Sequence, residues 1–260
     1  MPLFTDQLGR TIRVESTPIS IVSLVPSQTE LLYDLGLDAN VSGITKFCVH
    51  PEEWFRRKRR VGGTKNVHID VVKELNPDLI LANKEENVKA QIEALENIAP
   101  VWVSDVNNLD DALQMIRSVG NITGENDNAT EIIQRIKAGF ENLIISHQFS
   151  VAYLIWKGPY MTVGGDTFIT DMLTRSGFRN VFADLRRYPE IDIEALQKAK
   201  PDFVFLSSEP YPFKEKHIEE LQAQLPFSKV ILVDGEMFSW YGSRMVKAVD
   251  YFKRLVGDIA

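Results

Sequence analysis

Cysteine is nearly absent from this 260-residue chain. Cys48 alone cannot form an internal disulfide, and a metal cage built only of cysteines is excluded with it. Histidine is scarce too, with 4 residues scattered along the chain. Only Cys48 and His50 are near neighbours, short of the about four ligands that close a metal site. His50 or His68 as a single axial ligand to a chelated metal stays open beside the plainer reading of a solvated loop histidine. No stretch reaches the roughly 18 consecutive apolar residues that span a bilayer. Positive charge is in deficit: 29 Lys and Arg face 36 Asp and Glu, for a formal charge of -7. Such a field repels polyanions and argues against nucleic acid as a partner. Signatures of catalysis are missing as well. There is no Gly-x-Ser-x-Gly elbow and no His-Glu-x-x-His pair, and Val163-Gly164-Gly165-Asp166-Thr167 lacks the lysine of a P-loop. That glycine pair reads as a turn before a helix at Phe168. The start, Met1-Pro2-Leu3-Phe4-Thr5-Asp6, lacks the basic and apolar segments of a secretory leader. Two alternatives stay open: a protein kept in the cytoplasm, or a chain that begins after a removed leader.

What is present is ordinary globular material, 44% hydrophobic and 10% aromatic. Short apolar runs alternate with helical patterns: Ile19 to Val25, Val41 to Ile44, Asp78 to Ala82 and Val101 to Val103 as strands, with helices from about Asp70 and over Val88 to Ile98. Ser27 and Glu30 match a capping box at the helix that follows the first strand. The alternation breaks near residues 123–147, where Ile132, Ile133, Ile136, Phe140, Leu143 and Ile144 recur at helical steps. One helix of six or seven turns, roughly 35 Å long, is expected there. Strands at Val151 to Ile155, Phe203 to Leu206 and Val230 to Val233 then resume the alternation, with helices over Phe168 to Ser176 and Lys216 to Leu225 and a closing helix from Ser243.

The two halves are alike. Ile69-Asp70 through Asn76-Pro77-Asp78 into Leu79-Ile80-Leu81 is matched by Ile193-Glu194 through Lys200-Pro201-Asp202 into Phe203-Val204-Phe205, with a carboxylate seven residues before each proline. The expected fold is therefore α/β: two similar lobes with mostly parallel sheets, residues 1–122 and 148–260, joined by a long bridging helix at 123–147. Ligands of open α/β sheets bind outside the carboxyl ends of the strands. The loops expected there are loaded with rings, including Phe47, Trp54, Trp156, Tyr160, Tyr188, Tyr211, Phe213, Phe238, Trp240 and Tyr241. A cleft between two such edges would suit a flat, largely apolar ligand, although some of these rings would serve only to pin their loops.

The segment Ile21-Val22-Ser23-Leu24-Val25-Pro26-Ser27-Gln28-Thr29-Glu30, together with Val61-Gly62-Gly63-Thr64, the paired Pro-Asp strands and the connecting helix, resembles class III substrate-binding proteins of ABC importers, also called helical-backbone metal receptors. The cobalamin-binding branch is the most similar. The resemblance implies a receptor, not an enzyme, working outside the cytoplasmic membrane. It would be monomeric, carry no cofactor of its own, and capture a corrinoid, haem or ferric siderophore for a membrane permease. It implies that Asp70 and Glu194 dock onto the permease and that Tyr188 stands where a stacking tryptophan is expected, with Thr64 near the matching place on the other lobe. Phe47, Trp240 and Tyr241 are the further stacking candidates, and Lys46 and Arg244 the donors to ligand carboxylates or amides. The alternative is a cytosolic two-lobed enzyme acting on a metal chelate or nucleotide-sugar, its acid–base chemistry drawn from Glu85, Glu86, Glu209 and Glu236.

Overall fold

The computed structural model describes residues 2–143 and 148–259. The chain divides into two compact units, one of residues 1–106, 110–137 and 241–244, the other of residues 107–109, 138–240 and 245–260. Each carries a mostly parallel sheet, so the α/β expectation holds.

In the first unit, β1 (Leu3–Thr5) and β2 (Thr11–Arg13) form an antiparallel hairpin that the sequence pattern did not announce. The main sheet contains β3 (Ile21–Ser23), β4 (Val41–Ile44), β5 (Arg59–Arg60), β6 (Leu79–Asn83) and β7 (Val101–Ser104), in the order β5-β4-β3-β6-β7 and parallel throughout. All five residues of β6 are buried. Helices covering both faces of a parallel sheet make its strands read as unbroken apolar runs. Val22, Ile80, Ala82, Val101 and Val103 pack against Val72, Ile92 and Leu95 from the helices.

The second unit holds β8 (Phe149–Trp156), β9 (Tyr160–Thr162), β10 (Phe178–Asn180), β11 (Glu190–Ile191), β12 (Phe203–Ser207) and β13 (Lys229–Val233). Strands β10, β8, β12 and β13 are parallel neighbours, while β9 and β11 extend the sheet antiparallel. One face buries Ala152, Leu154, Val204, Leu206 and Val230 against Leu196, Leu221 and Leu225. On the other, Phe205 meets Phe178 edge-on at 4.8 Å between centroids, and Phe238 lies 5.3 Å from Tyr153 and 4.8 Å from Phe252.

The sequence repeat has a physical basis. Helices Ile69–Leu75 and Ile193–Ala199 each end on a left-handed residue, Asn76 at φ 44° and Lys200 at φ 46°, just before the proline. The aspartate that follows then pins the start of the neighbouring strand. Asp78 accepts from the backbone N–H groups of Ile19 and Ser20 at 2.9 and 3.0 Å. Asp202 accepts from the Ser150 N–H and hydroxyl at 2.7 and 2.6 Å. The glycine pair before Phe168 is a turn, as expected: a Cβ on Gly165 would lie 2.2 Å from the Ala183 carbonyl, and Thr167 caps helix Phe168–Arg175.

Two expectations are corrected. The Ser27–Glu30 capping box does not form. Pro26 occupies the first turn of helix Pro26–Asp34, Val25 is the N-cap without a side-chain bond, and Glu30 is engaged elsewhere. The helical stretch after residue 123 is also divided differently. Helix Leu109–Thr123 precedes it, Gly124 at φ 81° breaks the path, and helix Asn126–Glu141 follows. That second helix has 16 residues, about 24 Å at 1.5 Å per residue. It contributes to both units, with Lys137 in the first and Ala138 in the second. At its end Leu143 N–H turns back to the Phe140 carbonyl, and the Asn142 side chain donates to Ala138. Ile144 and His147 lie outside the described residues. Among those residues no helix is long and apolar enough to cross a membrane.

Candidate functional site

Open parallel sheets offer a crevice where the strand order reverses, beyond the carboxyl ends. In the first unit that switch falls between β3 and β6, because the chain runs from β3 outward to β4 and β5 on one side and to β6 and β7 on the other. In the second it falls between β8 and β12.

At the first switch the groups are mainly polar and interlocked. Gln28 Nε2 donates to Ser104 Oγ at 2.5 Å, and Asn83 Nδ2 to the same hydroxyl at 3.0 Å. Tyr241, nearly buried, aims its hydroxyl at Glu86 Oε1 from 3.4 Å. Burial first, then the Glu86 charge, pushes its phenol well above the ordinary tyrosine value. Arg244, 6% exposed, closes a fork on Glu30, with Nε to Oε2 at 2.7 Å and Nη2 to Oε1 at 3.0 Å. Tyr241 and Arg244 thus hold the 241–244 segment in this unit, and the guanidinium read from sequence as a ligand donor serves a buried carboxylate. One strand outward, Lys46 and Phe47 follow β4. They are brought together, the ammonium 5.0 Å from the ring centroid, and Phe47 is 50% exposed. A Cβ on Gly63 would come within 3.2 Å of that ring, so the glycine lets Phe47 lie over the backbone. Thr64 is half-buried, and its carbonyl accepts from Asn87 at 2.9 Å.

At the second switch, Trp156 ends β8 and is 40% exposed, with Tyr211 edge-on at 5.6 Å. Lys157 pairs with Glu220. Glu209, on the loop after β12, accepts at Oε1 from Ser239 Oγ and Trp240 Nε1, which lie beyond β13, at 2.6 and 2.8 Å. Burial raises the Glu209 carboxyl above the ordinary range, and Glu236 and Asp234 add to the rise. Trp240, nearly buried, is therefore a clasp on Glu209. Tyr188 is half-buried with the Arg187 guanidinium 5.6 Å from its ring centroid.

Asp70 and Glu194 are both exposed in the first turns of their helices, where a negative charge is favoured by the macrodipole. Three rings counted with the binding loops, Trp54, Phe213 and Phe238, belong to the cores instead. Cys48 is buried between the Thr29 and Thr45 hydroxyls, and burial pushes its thiol up to about 11. Among the described residues, no group of three or more His, Cys, Asp or Glu side chains is placed to hold a metal ion. Neither the Glu30–Arg244 pair nor the Trp240–Glu209 bond was visible in the sequence, because no periodicity links partners 214 or 31 positions apart.

Comparison with known proteins follows the same lines. A family model described as "Periplasmic binding protein" matches residues 21–230. An ABC transporter substrate-binding lipoprotein of Bacillus subtilis, itself uncharacterized, is 27% identical over 94% of this chain and 82% of its own length. A vitamin B12-binding protein of Vibrio vulnificus is 25% identical over 76% of this chain and 74% of its own. The crystal structure of the periplasmic vitamin B12 binding protein of Vibrio cholerae superposes with a TM-score of 0.79, covering 93% of this chain and 98% of that one at 19% identity; it bears on the fold alone.

Proposed function

This chain belongs to the periplasmic binding protein family, and on that premise we propose that it is the substrate-binding component of an ABC import system. It captures a metal chelate, a corrinoid such as cobalamin or an iron chelate, and delivers it to a membrane permease from outside the cytoplasmic membrane. The relatives are named for binding, not for catalysis, and the lipoprotein and vitamin B12-binding names support uptake. The observation that carries the reading is the exposure of aromatic faces on the carboxyl edges of both sheets, Phe47 at 50% and Trp156 at 40%. Water-facing rings at such edges are surfaces for stacking and area burial.

Within this reading Phe47 and Tyr188 supply ring contacts and Lys46 a hydrogen-bond donor. Trp240, Tyr241 and Arg244 act behind them, holding loops in place. Asp70 and Glu194 supply the charged contacts to the permease, where exposed single ion pairs contribute orientation and on-rate more than affinity. The protein acts as a monomer.

Titration with cyanocobalamin, haemin and a ferric hydroxamate, followed by tryptophan fluorescence, tests the proposal. Saturable quenching by at least one chelate is expected, and Phe47→Ala should weaken it by about 1–3 kcal/mol, the range for losing one stacked ring. A flat response to every chelate would reject the receptor reading.

A further inference from the structure

Resting on that reading, we infer that Glu209 contacts the ligand and selects chelates rimmed with hydrogen-bond donors, amide or ammonium groups, against chelates rimmed with carboxylates. The residue stands on the loop after β12, at the switch between β8 and β12, two residues before Tyr211, whose ring meets the exposed Trp156 edge-on. Its carboxylate is pre-aimed. Ser239 and Trp240 both donate to Oε1, and no described residue donates to Oε2. Gly235 backs the side chain so closely that a Cβ there would come within 2.9 Å of Glu209 Cγ. A carboxylate clasped on one oxygen and open on the other is an acceptor waiting for a donor.

The surroundings sharpen the preference. Asp234 and Glu236 add negative potential at Glu209, and burial strengthens the field they exert. Two cations on this unit's loops are engaged elsewhere, Lys157 with Glu220 and Arg187 with Asn107 and Asp166. A ligand carboxylate arriving at Glu209 meets like charge, whereas an amide N–H finds an acceptor.

The test uses the full chain with cyanocobalamin, which carries amide side chains, and haemin, which carries two propionates. The unmodified protein should bind cyanocobalamin at least about 10-fold more tightly, the low end expected for a charged hydrogen bond. Glu209→Gln removes the charge at constant shape and should close that gap about 10-fold, mainly by tightening haemin. Glu209→Asp, which keeps the charge, should retain the preference. A measurement independent of any variant is salt dependence: screening should strengthen haemin binding several-fold and leave cyanocobalamin nearly unmoved. Tighter haemin binding by the unmodified protein, or an unchanged ratio in Glu209→Gln, overturns this assignment while leaving a chelate receptor. Failure of both chelates to bind sinks the receptor reading and this assignment with it.

Discussion

Arg244 and Glu30 form a pairing that residue chemistry alone does not reveal. An arginine on an aromatic loop suggested a ligand donor, and a glutamate three positions after a serine suggested a helix cap. Folding joins them in a buried two-bond fork instead. A buried ion pair costs desolvation of both charges and is recovered only through good geometry, so removing one partner is far worse than removing both. Arg244→Met should lower stability by about 3–5 kcal/mol in urea unfolding, whereas the double variant Glu30→Leu, Arg244→Met should recover most of that loss. A double variant no better than the single one would mean that the pair does not act as a unit. Cys48 gives a second check at this scale. With its thiol pushed up to about 11 and buried, it stays protonated at pH 8. Iodoacetamide should label it only after unfolding, as seen by mass spectrometry.

Elements were more legible than partners. Parallel strands such as Leu79–Asn83 and Phe203–Ser207 are buried on both faces, so their apolar runs announce them directly. Hairpin β1–β2, whose residues are at most half-buried, gives no such signal. The capping-box misreading has a local cause, because Pro26 occupies the first turn and leaves no place for Ser27 as a cap. The Pro-Asp repeat was visible as a pattern, while its purpose, a carboxylate tying the next strand's start, needed the fold. Hydrogen bonds from Ser150 hold Asp202 below the ordinary aspartate range. A folded-state value below the unfolded one contributes stability that is present above the unfolded value and lost as pH falls through the folded one. Asp202→Asn should therefore cost about 1 kcal/mol at pH 7, scaled down because the side chain is exposed. The gap to the unmodified protein should narrow as pH is lowered past about 4. A gap that is constant with pH would contradict the linkage.

At the scale of the whole molecule, the family match spans residues 21–230 and reaches both units. The repeated exposed carboxylates, Asp70 and Glu194, are separate from the ring-bearing loops in sequence and lie on short helices of their own. Asp70→Ala with Glu194→Ala should leave chelate affinity within about two-fold, as expected of isolated surface charges worth under about 1 kcal/mol. Uptake by cells carrying the permease should fall sharply. Loss of chelate binding in that variant would assign the two carboxylates a different role. The most direct measurement is native mass spectrometry of the purified chain after incubation with an equimolar mixture of cyanocobalamin, haemin and a ferric hydroxamate. One chelate retained at a ratio of one per chain is the predicted result, and a spectrum of bare protein alone would contradict it.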